Sequence, residues 1–133
     1  MKAGLTPPGT KGIDISVSAP VAFDVQVKTA TGPRWSVAGK NGVQTSPDLW
    51  FVLVQWDRDR GCVARTLVMR SSAVKTIAHG LDDDWRKRVG PKPKARGYMI
   101  VERAFAGAEP VDLSPYEEEW GTLPSAGVKG IEA

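Results

Sequence analysis

The chain has 133 residues, which is enough for one domain with a hydrophobic core and too few for two. Its 41% hydrophobic and 25% charged residues are typical of a soluble folded domain and exclude a disordered chain. One cysteine and one histidine exclude an intramolecular disulfide and a Cys/His zinc cage, and no apolar run approaches the roughly 20 residues that cross a bilayer. We therefore expect a cytoplasmic protein without membrane contact, with one domain over 1–123 and a flexible tail over 124–133.

Charge is unevenly distributed along the chain. Residues 1–100 carry 16 Lys and Arg against 8 Asp and Glu, whereas residues 101–133 carry 2 against 7. This asymmetry favours a polyanion as the partner of residues 1–100. The alternative is that the charges are scattered over the surface and serve solubility.

Two alternating stretches open the chain after a predicted loop over 1–12. Apolar and polar residues alternate over 12–18 and again over 21–29, which predicts two strands. Pro20 in the short connection favours a turn, so the pair should form an antiparallel hairpin.

The middle of the chain predicts a short strand around Trp35–Val37 and a second hairpin. The continuous apolar run 49–56 is typical of a central strand covered on both faces, and 62–69 should pair with it. A helix should then begin at Ser71 or Ser72 and end at Gly80, with another short helix over 81–85.

The last third predicts a basic mobile loop over 86–96, a strand within 97–105 and a final helix. Ser114, Pro115 and Glu117 form a capping box with proline at the first helical position, and Gly121 should end that helix. The order of elements predicts an α/β (α+β mixed) fold on a central sheet.

The first hairpin concentrates polar residues on one surface. The apolar faces of its two strands must coincide, so Asp14, Asp24, Gln26 and Lys28 should share the other face. Two interpretations stay open at this point. The residues are either an ordinary solvated strand face, or hard oxygen donors and a cation suited to metal-assisted phosphodiester hydrolysis.

The pattern "GIDISVS…FDVQVKTA" resembles the PD-(D/E)XK nuclease superfamily in its D…QxK form, close to uncharacterised restriction-endonuclease-like families. Further segments follow in the order seen in such relatives: "GPRW", "SPDLWFVLV", "TLVMRSSAVKTIA", "DDDWRKRVGPKPKAR" and "LSPYEEEWGTL". This loose similarity covers roughly residues 9–123. It implies a restriction-endonuclease-like mixed sheet with flanking helices.

The resemblance also implies a function and its residues. Asp14, Gln26 and Lys28 would be catalytic, and Asp14, Asp24 and Gln26 would bind Mg²⁺ or Mn²⁺ in a DNA endonuclease, a hydrolase that cleaves phosphodiesters. Gln26 stands where the family usually has Glu or Asp, which should weaken metal binding. Only twelve residues precede Ile13, so the family's first core helix should be absent, shortened or supplied by a partner. A sheet lacking that cover favours a homodimer or other oligomer.

The predicted partner of the basic residues is nucleic acid, and DNA is the first candidate. The candidate contacts are Lys11, Lys40, Arg86, Lys87, Arg88, Lys92, Lys94 and Arg96. Trp35 and Trp85 could stack on bases, although packing in the core is the commoner role. Cys62 is expected to be a small core residue, and His79 to act electrostatically near a helix end. The alternative function is a catalytically inactive nuclease-like module that binds nucleic acid or protein as an oligomer.

Overall fold

The computed structural model describes residues 2–5, 15–19, 22–89, 97–102 and 111–124. These contain strands β1 (Lys2–Leu5), β2 (Ile15–Ala19), β3 (Phe23–Ala30), β4 (Arg34–Ala38), β5 (Leu49–Asp57), β6 (Cys62–Arg70) and β7 (Tyr98–Val101), and helix α1 (Ser71–Val89). Two 3₁₀ turns lie at Ser114–Tyr116 and Trp120–Thr122. The protein is thus a strand-rich mixed α+β domain with one long helix in its described part.

Five strands form one mixed sheet in the order β1-β2-β3-β5-β6. Strands β3 and β5 run parallel, and the other neighbours are antiparallel. Strands β4 and β7 form a separate antiparallel pair. Since parallel neighbours need a crossover, the chain leaves β3, makes β4 and the loop 39–48, and then enters β5.

The main core lies on the face of the sheet that β4, β7 and α1 cover. Its fully buried residues come from all three layers: Phe51, Leu53, Leu67 and Met69 from the sheet, Trp35, Val37 and Ile100 from the small sheet, and Val74 and Ala78 from α1. A second buried cluster occupies the other face, with Val17, Phe23, Val25, Trp50, Val52 and Val68. Strand β5 is therefore buried on both faces, as its continuous apolar run predicts.

Both predicted hairpins are confirmed in the described residues. β2 pairs antiparallel with β3, and β5 pairs antiparallel with β6. The short strand around Trp35 is β4, and the strand predicted within 97–105 is β7. The predicted loop over 1–12 is wrong for Lys2–Leu5, because that segment pairs with β2 as an edge strand. A four-residue edge strand carries too little alternation to be read from sequence.

The predicted end of the helix at Gly80 is wrong, because α1 continues to Val89 and includes the segment 81–85. Gly80 does not adopt the positive φ that a glycine stop uses. Glycine in a helix costs only about 1 kcal/mol, and burial of Val74 and Ala78 against the sheet offsets such a cost. The hydroxyl of Ser71, one of the two predicted caps, bonds instead to the backbone of Ser46.

The final helix predicted at Ser114 is also wrong, since only two 3₁₀ turns form there. The carboxylate of Asp112 accepts bonds from the N–H and hydroxyl of Ser114, at 3.0 and 2.7 Å. Glu118 then takes φ of 55°, and its N–H donates to the Thr66 carbonyl of β6 at 2.9 Å. Pairing with the edge of β6 therefore replaces helix formation.

Arg65 fastens this segment and β7 to the main sheet. Its guanidinium binds both carboxylate oxygens of Glu102, at 2.6 and 2.7 Å, and its Nε lies 3.3 Å from Glu117. The hydrogen bond to Glu102 holds the pKa of Arg65 above its ordinary value. This bidentate pair joins β6 to the residue that directly follows β7, and these two strands belong to different sheets.

The structure corrects the expected burial of Cys62 and shows which of its two possible roles Trp35 has. Cys62 is exposed at the start of β6 and is not a core residue. Trp35 is fully buried, and its Nε1–H donates to the Val54 carbonyl at 3.0 Å, so it cannot stack on a base. Within the described segments, no helix has the length and apolarity needed to span a membrane.

Candidate functional site on strand β3

Asp24, Gln26 and Lys28 share one face of β3, as their spacing predicts. That face is not fully exposed to solvent. Their neighbours across the parallel pairing are Leu49, Phe51 and Leu53, all members of the main core. The solvated-face interpretation is therefore wrong for Gln26, whose exposed fraction is only 8%.

Gln26 and Lys28 together line a small cavity between β3 and its crossover. The cavity measures about 230 Å³ and is closed on the other side by Val37 and Ala38 of β4 and by Gly39, Gly42 and Gln44 of the following loop. Phe51 lies beside Gln26 in the sheet. The last two residues of the D…QxK pattern thus line one recess above the core.

Asp24 lies at the start of the same strand and is half-buried. Its Oδ1 accepts a hydrogen bond of 2.8 Å from the hydroxyl of Ser16, its partner on β2. Its backbone N–H donates to the Asp48 carbonyl at 2.7 Å, which anchors the end of the crossover to β3. Asp24 does not line the cavity with Gln26 and Lys28.

The loop 39–44 that roofs the cavity is held by His79 of α1. The Nε2 atom of His79 accepts a hydrogen bond of 3.1 Å from the Val43 N–H, so that nitrogen carries no proton. The imidazole stacks on Tyr98 with ring centroids 4.1 Å apart and an interplanar angle of 12°. His79 therefore has a positioning role, and the electrostatic role expected near a helix end is not what its contacts show.

Gly42 allows the loop to pass this close to His79. Its φ of 91° lies in the left-handed region, and a Cβ there would come 3.0 Å from His79 Cε1. The sequence did not indicate that Gly42, Gln44 or His79 shapes this site. The two glycines of "GKNG" signal a turn, but no local pattern connects that turn with a histidine 36 residues away.

The cationic residues predicted to bind nucleic acid are distributed over separate places. Lys40 is exposed on the loop that roofs the cavity. Arg86, Lys87 and Arg88 were assigned to a mobile loop, which is wrong, because they form the last turns of α1. Arg86 bonds to Asp82 at 2.7 Å and Arg88 to Asp84 at 3.4 Å, so acids one turn earlier compensate two of the three charges. Hydrogen bonding to Asp82 raises the pKa of Arg86.

Several predicted site residues lie outside the described residues. These are Asp14, Lys11, Lys92, Lys94 and Arg96. Trp85, the second tryptophan expected to stack, is half-buried within α1.

The donor set for a metal ion is incomplete in the described part of the chain. No three residues of the types His, Cys, Asp and Glu come together there. Asp24 and Gln26 provide a carboxylate and an amide oxygen, both hard donors of the kind that Mg²⁺ accepts. Both lie on one face of β3, so in a magnesium site they would be two of the donors, with Asp14, one residue before β2, as a further carboxylate.

In comparisons with known proteins, no protein-family model, curated protein or solved structure matches the chain.

Proposed function

We propose that this protein is a divalent-metal-dependent DNA endonuclease domain of the PD-(D/E)XK type. The observation that carries the proposal is the convergence of Gln26 and Lys28 on one cavity above the central strand. The order of the sheet, with a parallel pair at its centre and α1 on the covered face, supports a restriction-endonuclease-like architecture.

Asp14, Asp24 and Gln26 would hold Mg²⁺ or Mn²⁺ in this proposal. Such an ion, when bound, polarises the phosphodiester and lowers the pKa of a coordinated water. Gln26 is the weak point of the donor set because an amide oxygen carries no net charge. An amide in place of the family's second motif carboxylate predicts low metal affinity, which millimolar metal or Mn²⁺ would partly offset.

Lys28 contributes a positive charge at the cavity. A cation there offsets the negative charge that develops on the phosphate during attack and orients the attacking water. Lys40, exposed on the loop that also contributes Gly39, Gly42 and Gln44 to the cavity wall, would contact a neighbouring phosphate in this proposal. A contact of that kind adds salt-dependent affinity without reading sequence.

Plasmid nicking in the presence of Mg²⁺ or Mn²⁺ tests the proposal. Lys28→Ala should reduce the nicking rate by roughly a hundredfold or more, as expected when a charge-stabilising group is lost. Lys75→Ala is the matched control, since Lys75 is an exposed lysine on α1 away from the cavity, and it should leave the rate unchanged. Equal nicking by both variants would contradict the proposal.

Gln26→Glu provides a second test, in which metal affinity and nicking are expected to increase. It adds the carboxylate of the family pattern, so calorimetry should detect tighter Mn²⁺ binding and nicking should rise at limiting metal. The variant also places a charge at a site only 8% exposed, so without metal its stability should fall. Unchanged metal affinity would remove Gln26 from the proposed donor set.

The buried amide of Gln26 also favours a second candidate function. A neutral amide in place of the family's carboxylate is compatible with a non-catalytic domain that binds nucleic acid or protein, alone or as an oligomer. This function predicts no Mg²⁺ or Mn²⁺ binding by calorimetry at millimolar metal. It also predicts DNA affinity that falls steeply with salt and is insensitive to EDTA.

A further inference from the structure

Trp56 exposes an aromatic ring at the far end of the β5–β6 hairpin. It is 42% exposed, and Val63, its partner across the hairpin, is 51% exposed. The register of the strand pairing shifts between Gln55 and Trp56. Trp56 follows Val54 on the same face of β5 but is not part of the second core cluster, in which Val54 still packs, so its ring stays exposed.

A slot of about 500 Å³ lies against this ring. Its lining residues are Thr29, Ala30, Thr31, Val54 and Trp56. Thr29 is the neighbour of Val54 in the parallel pair, and Trp56 lies two residues further along the same face of β5. The backbone of Val54 is held in place, because its carbonyl accepts a hydrogen bond of 3.0 Å from the indole N–H of buried Trp35. The slot therefore has a rigid apolar floor and one aromatic wall.

The chemistry of the slot fits a flat heteroaromatic ring with hydrogen-bonding edges. An indole face gains most from stacking on another planar ring, and the exposed Thr29 and Thr31 hydroxyls can donate to or accept from its edge. Arg58 and Arg60 are exposed in the adjoining turn. The nearby Asp57 carboxylate is engaged by the N–H groups of Asp59 and Arg60, at 3.0 and 3.1 Å.

The slot lies on the opposite face of the sheet from the candidate site. Thr29 directly follows Lys28 on β3, and successive residues of a strand point to opposite faces. A flexible single strand with a phosphate near Lys28 would therefore have to pass the end of the sheet to place a base in the Trp56 slot. We infer that the Trp56 slot binds an unpaired nucleobase of single-stranded nucleic acid, an inference that rests on the proposed nucleic-acid function and names the form of the substrate.

Binding of a short single-stranded thymidine oligonucleotide, followed by fluorescence anisotropy in EDTA, tests the inference. Trp56→Ala should weaken binding roughly ten- to a hundredfold, as expected for the loss of one base–aromatic stack, and Trp56→Phe should retain most of it. Trp120→Ala is a closely matched control, because Trp120 is also 42% exposed but lies outside the slot, and it should bind like wild type. A duplex of the same sequence and the uridine oligonucleotide show whether pairing and the sugar matter.

The outcomes separate this inference from the proposed function. Loss of binding in Trp56→Ala alone supports the slot, even if Lys28→Ala nicks plasmid like wild type and the endonuclease proposal fails. Equal binding by the Trp56 and Trp120 variants overturns the slot inference and leaves nicking as a separate question. If Trp56→Ala instead converts a wild-type dimer to a monomer in sedimentation without changing oligonucleotide binding, the patch is an interface between copies and the inference is wrong.

Discussion

The Nε2 atom of His79, in the middle of α1, accepts a hydrogen bond from the Val43 N–H and thereby fixes the loop that closes the Gln26–Lys28 cavity. A helix that contributes nothing to the lining of this cavity thus determines the position of one of its walls. Stacking on Tyr98 of β7 fixes the orientation of the imidazole. The shape of the recess therefore depends on contacts among three elements distant in sequence.

Replacing His79 with Phe should free the loop without removing the ring. Phenylalanine keeps the stack on Tyr98 but offers no acceptor to the partly buried Val43 N–H, which should cost roughly 1–3 kcal/mol of stability. Amide hydrogen exchange of Val43 should accelerate in the variant, whereas exchange in β5 should change only with global stability. Unchanged protection of Val43 would show that the loop is held by other contacts.

Two glycines of the same loop should respond differently to alanine. Gly42→Ala combines a positive φ with a Cβ placed 3.0 Å from His79 Cε1, and should destabilise the protein by roughly 1–2 kcal/mol or more. Gly39→Ala is the matched control, because its Cβ meets nothing within 4 Å. Urea denaturation measures both variants, and equal midpoints would contradict the assigned loop geometry.

Gly80→Ala should stabilise the protein. Gly80 is exposed within α1, and a Cβ there meets nothing within 4 Å. Removing a glycine from a helix interior gains roughly 0.5–1 kcal/mol because the unfolded chain loses conformational freedom. Thermal unfolding should show a higher midpoint, whereas a lower midpoint would mean that Gly80 ends a helix, as the sequence pattern had suggested.

The stability of the protein should depend more on Glu102 than on Glu117, the two acidic partners of Arg65. Glu102→Gln removes the charge from a bidentate pair whose side chains are 17% and 28% exposed, and should cost roughly 1–3 kcal/mol. Glu117→Gln is the control, because Glu117 is 44% exposed and its single contact is 3.3 Å, so its cost should stay below about 1 kcal/mol. A larger cost for Glu117→Gln in denaturant titration would reverse the assigned order.

The turn at Asp112 should loosen in acid. The side-chain hydrogen bond from Ser114, helped by its N–H, lowers the pKa of Asp112 below the ordinary value. A lowered pKa contributes stability above the unfolded pKa of about 3.9, and this stability is lost as pH falls through the folded pKa. Ser114→Ala should move the pKa of Asp112, measured by NMR titration, upward. An unchanged pKa would show that the Ser114 hydroxyl does not bind the carboxylate in solution.

The sequence by itself determined strands β2 to β7 and the two hairpins, but not the edge strand β1. Period-two alternation in β3 is a spacing that a strand satisfies and a helix does not, and the short, Val- and aromatic-rich apolar run of β5 favours a buried strand. Short connections leave hairpins as the simplest arrangement. It also placed Asp24, Gln26 and Lys28 on one face, since that follows from alternation alone. It could not say which elements cover that face.

Only the tertiary structure decided that Gln26 is buried under a loop, because cover comes from residues far away in the chain. Alternation distinguishes two faces of a strand but not the partner of each face. The same limit explains the corrected helices. Packing against the sheet carries α1 through Gly80, and pairing of Glu118 with Thr66 replaces a helix whose capping signals were purely local. Local propensities amount to about 1 kcal/mol, and burial of a few core side chains outweighs them.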